Sequence, residues 1–137
     1  LNSEPIDLYN RGDMERDFTY IDDIVEGVSR IVKKVPAPDP EWSGNVPNPA
    51  ASSAPYRVYN IGSNNPIQLM DYVQEIEKNL GMKAELNMMP MQDGDVRKSH
   101  ADVEDLIRDF EYTPKWHIKD GIKNFIQWYV DYYKVNL

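Results

Sequence analysis

The 137 residues contain no cysteine and only two histidines, His100 and His117. Without cysteine there is no thiol catalysis, no cysteine-ligated metal and no disulfide; the chain suits a reducing compartment, and a cytoplasmic location is expected. Positive charge is scarce as well: 15 Lys and Arg stand against 23 Asp and Glu, a formal net charge of -8. Such a field disfavours nucleic acid and anionic membranes, so neither is expected as a partner, and an anionic ligand must be met by local cations. No run approaches the roughly 18 apolar residues of a membrane span. The opening "LNSEPIDLYN" lacks the basic and apolar regions of a signal peptide. The chain starts on Leu1 rather than Met, which permits an excised or processed chain. Glycine is also sparse, and "YNIGSNN", with one glycine, is a poor phosphate loop.

What is present is one core's worth of apolar residues, 41% of the chain, patterned as alternating strands and helices. A single domain over residues 1–137 is expected, of α/β class. "PIDLYN" and "RDFTYI" read as strands joined by "RGDME" into a hairpin. Ile24, Val25, Val28, Ile31, Val32 and Val35 then recur at three- and four-residue steps, predicting an amphipathic helix capped by Asp22 or Asp23 and closed by Pro36. A Pro/Ser/Ala loop leads into "YRVYNIG", an apolar strand. Leu69, Tyr72, Val73, Ile76 and Leu80 predict a second helix that stops at Gly81. "KAELNMMPM" reads as a strand and "DVEDLIRDF" as a helix capped by Asp102. Ile118, Ile122, Phe125, Ile126 and Tyr129 form one face of a long final helix.

The chemical candidates visible in the residues alone are weak. Asp22 and Asp23 could form an acid/base pair, but carboxylates at a helix start are favoured there by the helix dipole. Ser99 beside His100 supplies no triad geometry. His100 reads as a surface residue, and His117 as a residue that caps or packs at the start of the last helix. The two histidines have no metal-ligand spacing, and no metal site is expected. The C-terminal aromatics read as core and helix face, since an acidic chain offers no basic groove for stacked bases.

Four stretches in order carry more information: "RDFTYIDDIVEGV", "APYRVYNIGSNNPIQLMDYVQEIEKNLG", "NMMPMQDGDVRKSHAD" and "DGIKNFIQWYVDYY". Together they resemble the C-terminal part of extended short-chain dehydrogenase/reductases that act on nucleotide sugars, and most of all the UDP-glucuronate 4-epimerases. The resemblance covers nearly the whole chain. It implies a C-terminal UDP-sugar-binding portion, with one strand and one helix that would normally join an N-terminal Rossmann domain. The glycine-rich NAD turn of that domain is absent, and none of the nine tyrosines is followed four residues later by lysine. On this reading no catalytic residue, cofactor-binding residue or metal ligand lies in the chain, and NAD belongs to a longer parent.

The resemblance also implies site residues. It places Arg16 on the ligand diphosphate and Asp95 on the ribose hydroxyls, with Gly94 letting the backbone approach. Gln92 replaces an arginine found in galactose-type epimerases, which leaves Arg16 as the main charge partner and Arg97 as a weaker one. The alternative for Arg16 is an ion pair with a nearby carboxylate. The implied parent reaction is C4 oxidation of UDP-glucuronate by NAD, rotation of the 4-keto sugar and hydride return to give UDP-galacturonate. Other readings are a stand-alone UDP-binding or interaction module, a piece of another UDP-sugar epimerase or decarboxylase, and a relative whose ligand site is lost. Apolar faces that would normally meet the Rossmann domain are expected to drive self-association, which a clean monomer in light scattering at high concentration would contradict.

Overall fold

The computed structural model describes residues 1–2 and 4–136. Its strands are short and pair at long range. β1 (Ile6–Leu8) lies parallel to β4 (Leu86–Met88), with Ile6 opposite Leu86. β2 (Glu15–Arg16) lies antiparallel to β3 (Ile67–Gln68). The expected hairpin is therefore not formed. Between β1 and β2 the chain makes a tight 3-10 turn, Tyr9–Gly12, with Asn10 and Arg11 at φ 49° and 53°. The reason is visible in the hydrogen bonds. Arg11 N–H donates to the Met89 carbonyl at 2.9 Å and Met89 N–H donates to the Leu8 carbonyl at 3.0 Å, so β1 is spent on β4. "RDFTYI" is strand only at Arg16, because the chain leaves the β3 ladder at Asp17.

The helices follow the apolar periods more closely. They are α1 (Ile21–Ile31), α2 (Leu69–Leu80), α3 (Glu104–Phe110) and α4 (Ile118–Tyr133). Gly81 ends α2 in the left-handed conformation, φ 67°, the stop expected of it. Asp102 lies two residues before α3 and accepts the Glu104 N–H at 3.0 Å. His117 is the N-cap of α4 through its carbonyl, which accepts from Asp120 and Gly121 N–H; its ring caps nothing. α2 packs on α4, and Leu106, Val103, Tyr112, Ile122 and Ile126 form the buried centre.

α1 departs from expectation twice. Its N-cap is Tyr20, and neither Asp22 nor Asp23 caps it. Asp23 is instead 3% exposed and accepts the Lys115 and Trp116 N–H groups at 3.0 and 3.1 Å, tying α1 to the loop before α4. Its inward face is Asp23 and Gly27, while Ile21, Val25, Val28 and Val32 are between 46% and 74% exposed. The expected strand at "YRVYNIG" forms no ladder: its only pairing is an isolated bridge from Arg57 to Ala51, and no described strand runs beside residues 58–62. Among the described residues no helix is long and apolar enough to cross a membrane.

Tyr112 is fully buried, and its hydroxyl has no hydrogen-bond partner among the described residues. Burial, reinforced by the negative charges of Asp23, Asp17 and Glu26, pushes the phenol from 10.0 up to about 12. The folded chain thus keeps a proton that the unfolded chain releases above pH 10.0, and stability falls as pH rises towards about 12. Tyr112→Phe should be neutral or stabilising by up to about 1 kcal/mol at pH 7, because the lost hydroxyl was unpaired. It should also flatten the alkaline loss. Urea midpoints of the two proteins check this, and a drop of more than about 1 kcal/mol in the variant would show that the hydroxyl has a partner.

Candidate functional site

β2 and the segment 92–101 run side by side, joined by a parallel bridge between Glu15 and Lys98 and by three ion pairs. Arg97 pairs with Asp13 at 2.7 Å, Lys98 with Glu15 at 2.7 Å, and Arg16 with Asp95 at 2.9 Å. Two backbone hydrogen bonds reinforce the contact: Glu15 N–H donates to the Arg97 carbonyl and Ser99 N–H to the Glu15 carbonyl. The 92–101 segment is thereby a strap laid along β2. Arg97, the weaker candidate, is committed to Asp13 and largely exposed.

Arg16 and Asp95, 79 residues apart in sequence, meet at the open end of this strap. Arg16 is partly buried: one terminal nitrogen donates to the carbonyls of Glu15 (2.8 Å) and Arg97 (3.2 Å), the other to Asp95 Oδ1. Its partner carboxylate is not on a hairpin with it but across the strap. Asp95 Oδ1 also accepts its neighbour Val96 N–H at 2.7 Å. Gln92 contributes its carbonyl, which accepts Asp95 N–H at 3.2 Å and closes a turn, while its side chain is exposed. Gly94 sits in that turn at φ 82°, with no atom within 4 Å of where a Cβ would be. It serves the left-handed turn, and open space lies above it. All four residues picked out by motif are thus in one cluster.

What positions the cluster is a residue that motif reasoning passed over. Asp17, next to Arg16, accepts the backbone N–H groups of Ser63, Asn64 and Ala101 at 3.2 Å and of Asn65 at 3.4 Å. It also accepts the Ser63 hydroxyl. The Ser63, Asn64 and Asn65 amides converge on an anion, as phosphate-loop amides do, but that anion is the chain's own carboxylate. Gly62 makes the approach possible: a Cβ there would lie 2.5 Å from Ala101 Cβ and 2.8 Å from Asp17 Oδ2. The signal available in sequence was the adjacency of Asp17 to Arg16 and the turn-forming run Gly62–Asn65. His100, beside this knot, is exposed and pairs with Asn64 Oδ1 at 2.7 Å.

Burial works against the Asp17 charge, but the Ser63 hydroxyl and the Ala101, Asn65 and Asn64 amides outweigh it and hold the carboxyl below 3.8. A depressed carboxylate contributes stability above its unfolded value and loses it as pH falls through the folded value. The knot should therefore loosen below about pH 3.8. Asp17→Asn should be less stable at pH 7 by about 2 kcal/mol, with a flatter acid limb. Denaturation midpoints at several acid pH values read both; parallel limbs for wild type and variant would contradict the assignment.

Among the described residues no group of three or more His, Asp or Glu is placed to hold a metal ion. No protein-family model matches the chain. It is 52% identical over 134 residues to Protein CapI of Staphylococcus aureus, covering 98% of this chain and 40% of that protein. It is 38% identical over 137 residues to a probable UDP-glucuronate 4-epimerase of Rhizobium meliloti, covering 97% of this chain and 39% of that one. The chain is a homologue of the UDP-glucuronate 4-epimerases and CapI, in the extended short-chain dehydrogenase/reductase family.

The fold agrees with that family. The structure of UDP-glucuronic acid 4-epimerase from Bacillus cereus in complex with UDP-glucuronic acid and NAD superimposes with a TM-score of 0.69 at 22% identity. The match takes in 91% of this chain and 36% of that one. At that identity the likeness speaks for the mixed α/β fold alone. The chain spans about two fifths of the length of the epimerase-family relatives it matches.

Proposed function

We propose that the chain is the UDP-sugar-binding, C-terminal portion of a nucleotide-sugar epimerase, and that its parent interconverts UDP-glucuronate and UDP-galacturonate. The observation that carries the site is the meeting of Arg16 and Asp95 at 2.9 Å from positions 79 residues apart. A guanidinium supplies a planar fork of donors matched to phosphate oxygens. A carboxylate accepts from two vicinal hydroxyls, as a ribose 2',3'-diol offers. Gly94 leaves room for a ligand to lie against the turn, and the Gln92 amide can hydrogen-bond without adding charge.

The exposed stripe Ile21, Val25, Val28 and Val32 and the 58–62 segment, which no described strand flanks, support a parent in which more polypeptide packs on these elements. NAD, which the Bacillus cereus enzyme holds, does not fit the residues present. A dinucleotide site needs a parallel strand that runs through a glycine-rich turn into a helix. The parallel strands here, β1 and β4, lead instead into a 3-10 turn and into the strap. Hydride transfer is therefore assigned to residues outside this sequence. What this chain's own residues do is hold the nucleotide: charge on Arg16, hydroxyls on Asp95.

The test is calorimetric titration with UDP. Arg16→Ala should weaken binding at least about tenfold, the scale of one charge-assisted phosphate contact. Equal affinity in the variant would remove Arg16 from the site.

A further inference from the structure

Arg16 is already engaged. Of its five N–H donors, two face the Glu15 and Arg97 carbonyls, and Nη2 is held by Asp95 at 2.9 Å with Met14 sulfur at 4.0 Å, so a phosphate that takes the remaining forked edge, Nε–H with Nη2–H, competes with the Asp95 carboxylate for Nη2. The other cations of the strap are exposed and already have carboxylate partners. Arg97 and Lys98 are paired with Asp13 and Glu15.

We propose that the Arg16–Asp95 ion pair is an interlock that admits ligands carrying both a phosphate and a vicinal diol and turns away those with phosphate alone. The proposal rests on the nucleotide-site reading above and deepens it into a rule of ligand selection. An inorganic polyphosphate that captures Arg16 leaves Asp95 with no cation, held only by the Val96 N–H, beside a polyanion, and like charges at that range repel. A nucleoside diphosphate replaces both halves of the pair at once: its phosphates take the guanidinium, and its diol donates two hydroxyl hydrogens to the carboxylate. A nucleoside without phosphate leaves the ion pair intact and gains little. Selectivity then comes from a penalty built against the wrong ligand as much as from contacts with the right one. Asp95 is suited to this because it is only a third exposed, so its loss of Arg16 is incompletely screened by water.

The experiment uses the 137-residue chain with UDP and inorganic pyrophosphate as probes, in wild type, Asp95→Asn and Asp95→Asn/Arg16→Ala, by calorimetry at low salt. Wild type should bind UDP at least about tenfold more tightly than pyrophosphate. Asp95→Asn is isosteric and frees Arg16, so it should bind pyrophosphate about fivefold more tightly while losing about tenfold for UDP. The double variant should lose the pyrophosphate gain, showing that it passes through Arg16. If UDP binds wild type but Asp95→Asn leaves pyrophosphate affinity unchanged, the interlock is overturned while the nucleotide site stands. If neither probe binds any form, the site reading falls and the interlock with it.

Discussion

Gly62→Ala should destabilise the chain by about 2–3 kcal/mol and release the strap from β2, although the substitution adds a single methyl group. Gly62 has no positive φ, so backbone strain is not the cause. The cause is contact: the new Cβ would lie 2.5 Å from Ala101 Cβ and 2.8 Å from Asp17 Oδ2. Asp17 Oδ2 is a side-chain end, but it is held in place by the Asn64 and Ala101 N–H groups. Ala101 Cβ moves only with its backbone, and that backbone donates its N–H to Asp17 at 3.2 Å. Relieving the clash therefore breaks the knot that aligns residues 92–101 with Arg16. Ala101→Gly in the same chain should recover part of the lost stability by removing the opposing methyl while the 2.8 Å contact with Asp17 Oδ2 stays, a coupling a double-mutant cycle reads directly. A Gly62→Ala protein as stable as wild type in urea would contradict the close approach.

Asp23→Ala should cost about 2–4 kcal/mol. The carboxylate is 3% exposed and is the acceptor for Lys115 and Trp116 N–H. Truncation leaves two backbone donors without partners in a loop that has no regular structure to satisfy them. The loop also carries Trp116, whose ring sits 4.6 Å from Tyr20 at the N-cap of α1. Loss of the carboxylate thus loosens the seam between α1 and the loop that leads into α4. Asp23→Asn keeps one acceptor oxygen but turns an amide N–H₂ towards the second donor, so it should fall between wild type and alanine. Against the roughly 5–15 kcal/mol that holds a typical domain together, the alanine variant should show a clear fall in urea midpoint. A shift under about 0.5 kcal/mol, the range of an ordinary surface substitution, would sink the assignment.

These two residues also mark where sequence reading stopped. The periods of α2 and α4 were legible because each helix turns one stripe inward, half-buried along α2 and buried at Ile122 and Ile126 of α4, although Phe125 of the expected α4 stripe is 48% exposed; Gly81 is a stop that chemistry alone explains. α1 was legible as a helix but not as a surface. Its valines and isoleucines form the expected stripe, yet Ile21, Val25, Val28 and Val32 face outward while Asp23 and Gly27 face inward. A carboxylate in the first turn looks the same in sequence whether it caps its own helix or satisfies a distant loop. The hairpin failed for a related reason. β1 and β2 are neighbours in sequence, but their partners, Leu86–Met88 and Ile67–Gln68, lie more than fifty residues on, and local turn chemistry carries no record of them.

The candidate site divides in the same way. Arg16, Gln92, Gly94 and Asp95 were named through resemblance, since a lone Arg and a Gly-Asp pair have no distinctive physics in isolation. Their assembly rests on Asp17, Gly62, Ser63 and Ala101, which no motif singled out. The ion pair joining Arg16 to Asp95 was invisible because it depends on the strap's register along β2, set by backbone hydrogen bonds at Glu15.

The most direct measurement of the central claim is the affinity of the 137-residue chain for UDP beside that of Arg16→Ala. Saturable, salt-sensitive binding by wild type, weakened at least about tenfold in the variant, is the predicted result. Saturable binding of equal strength in both proteins, or none in either, would contradict it.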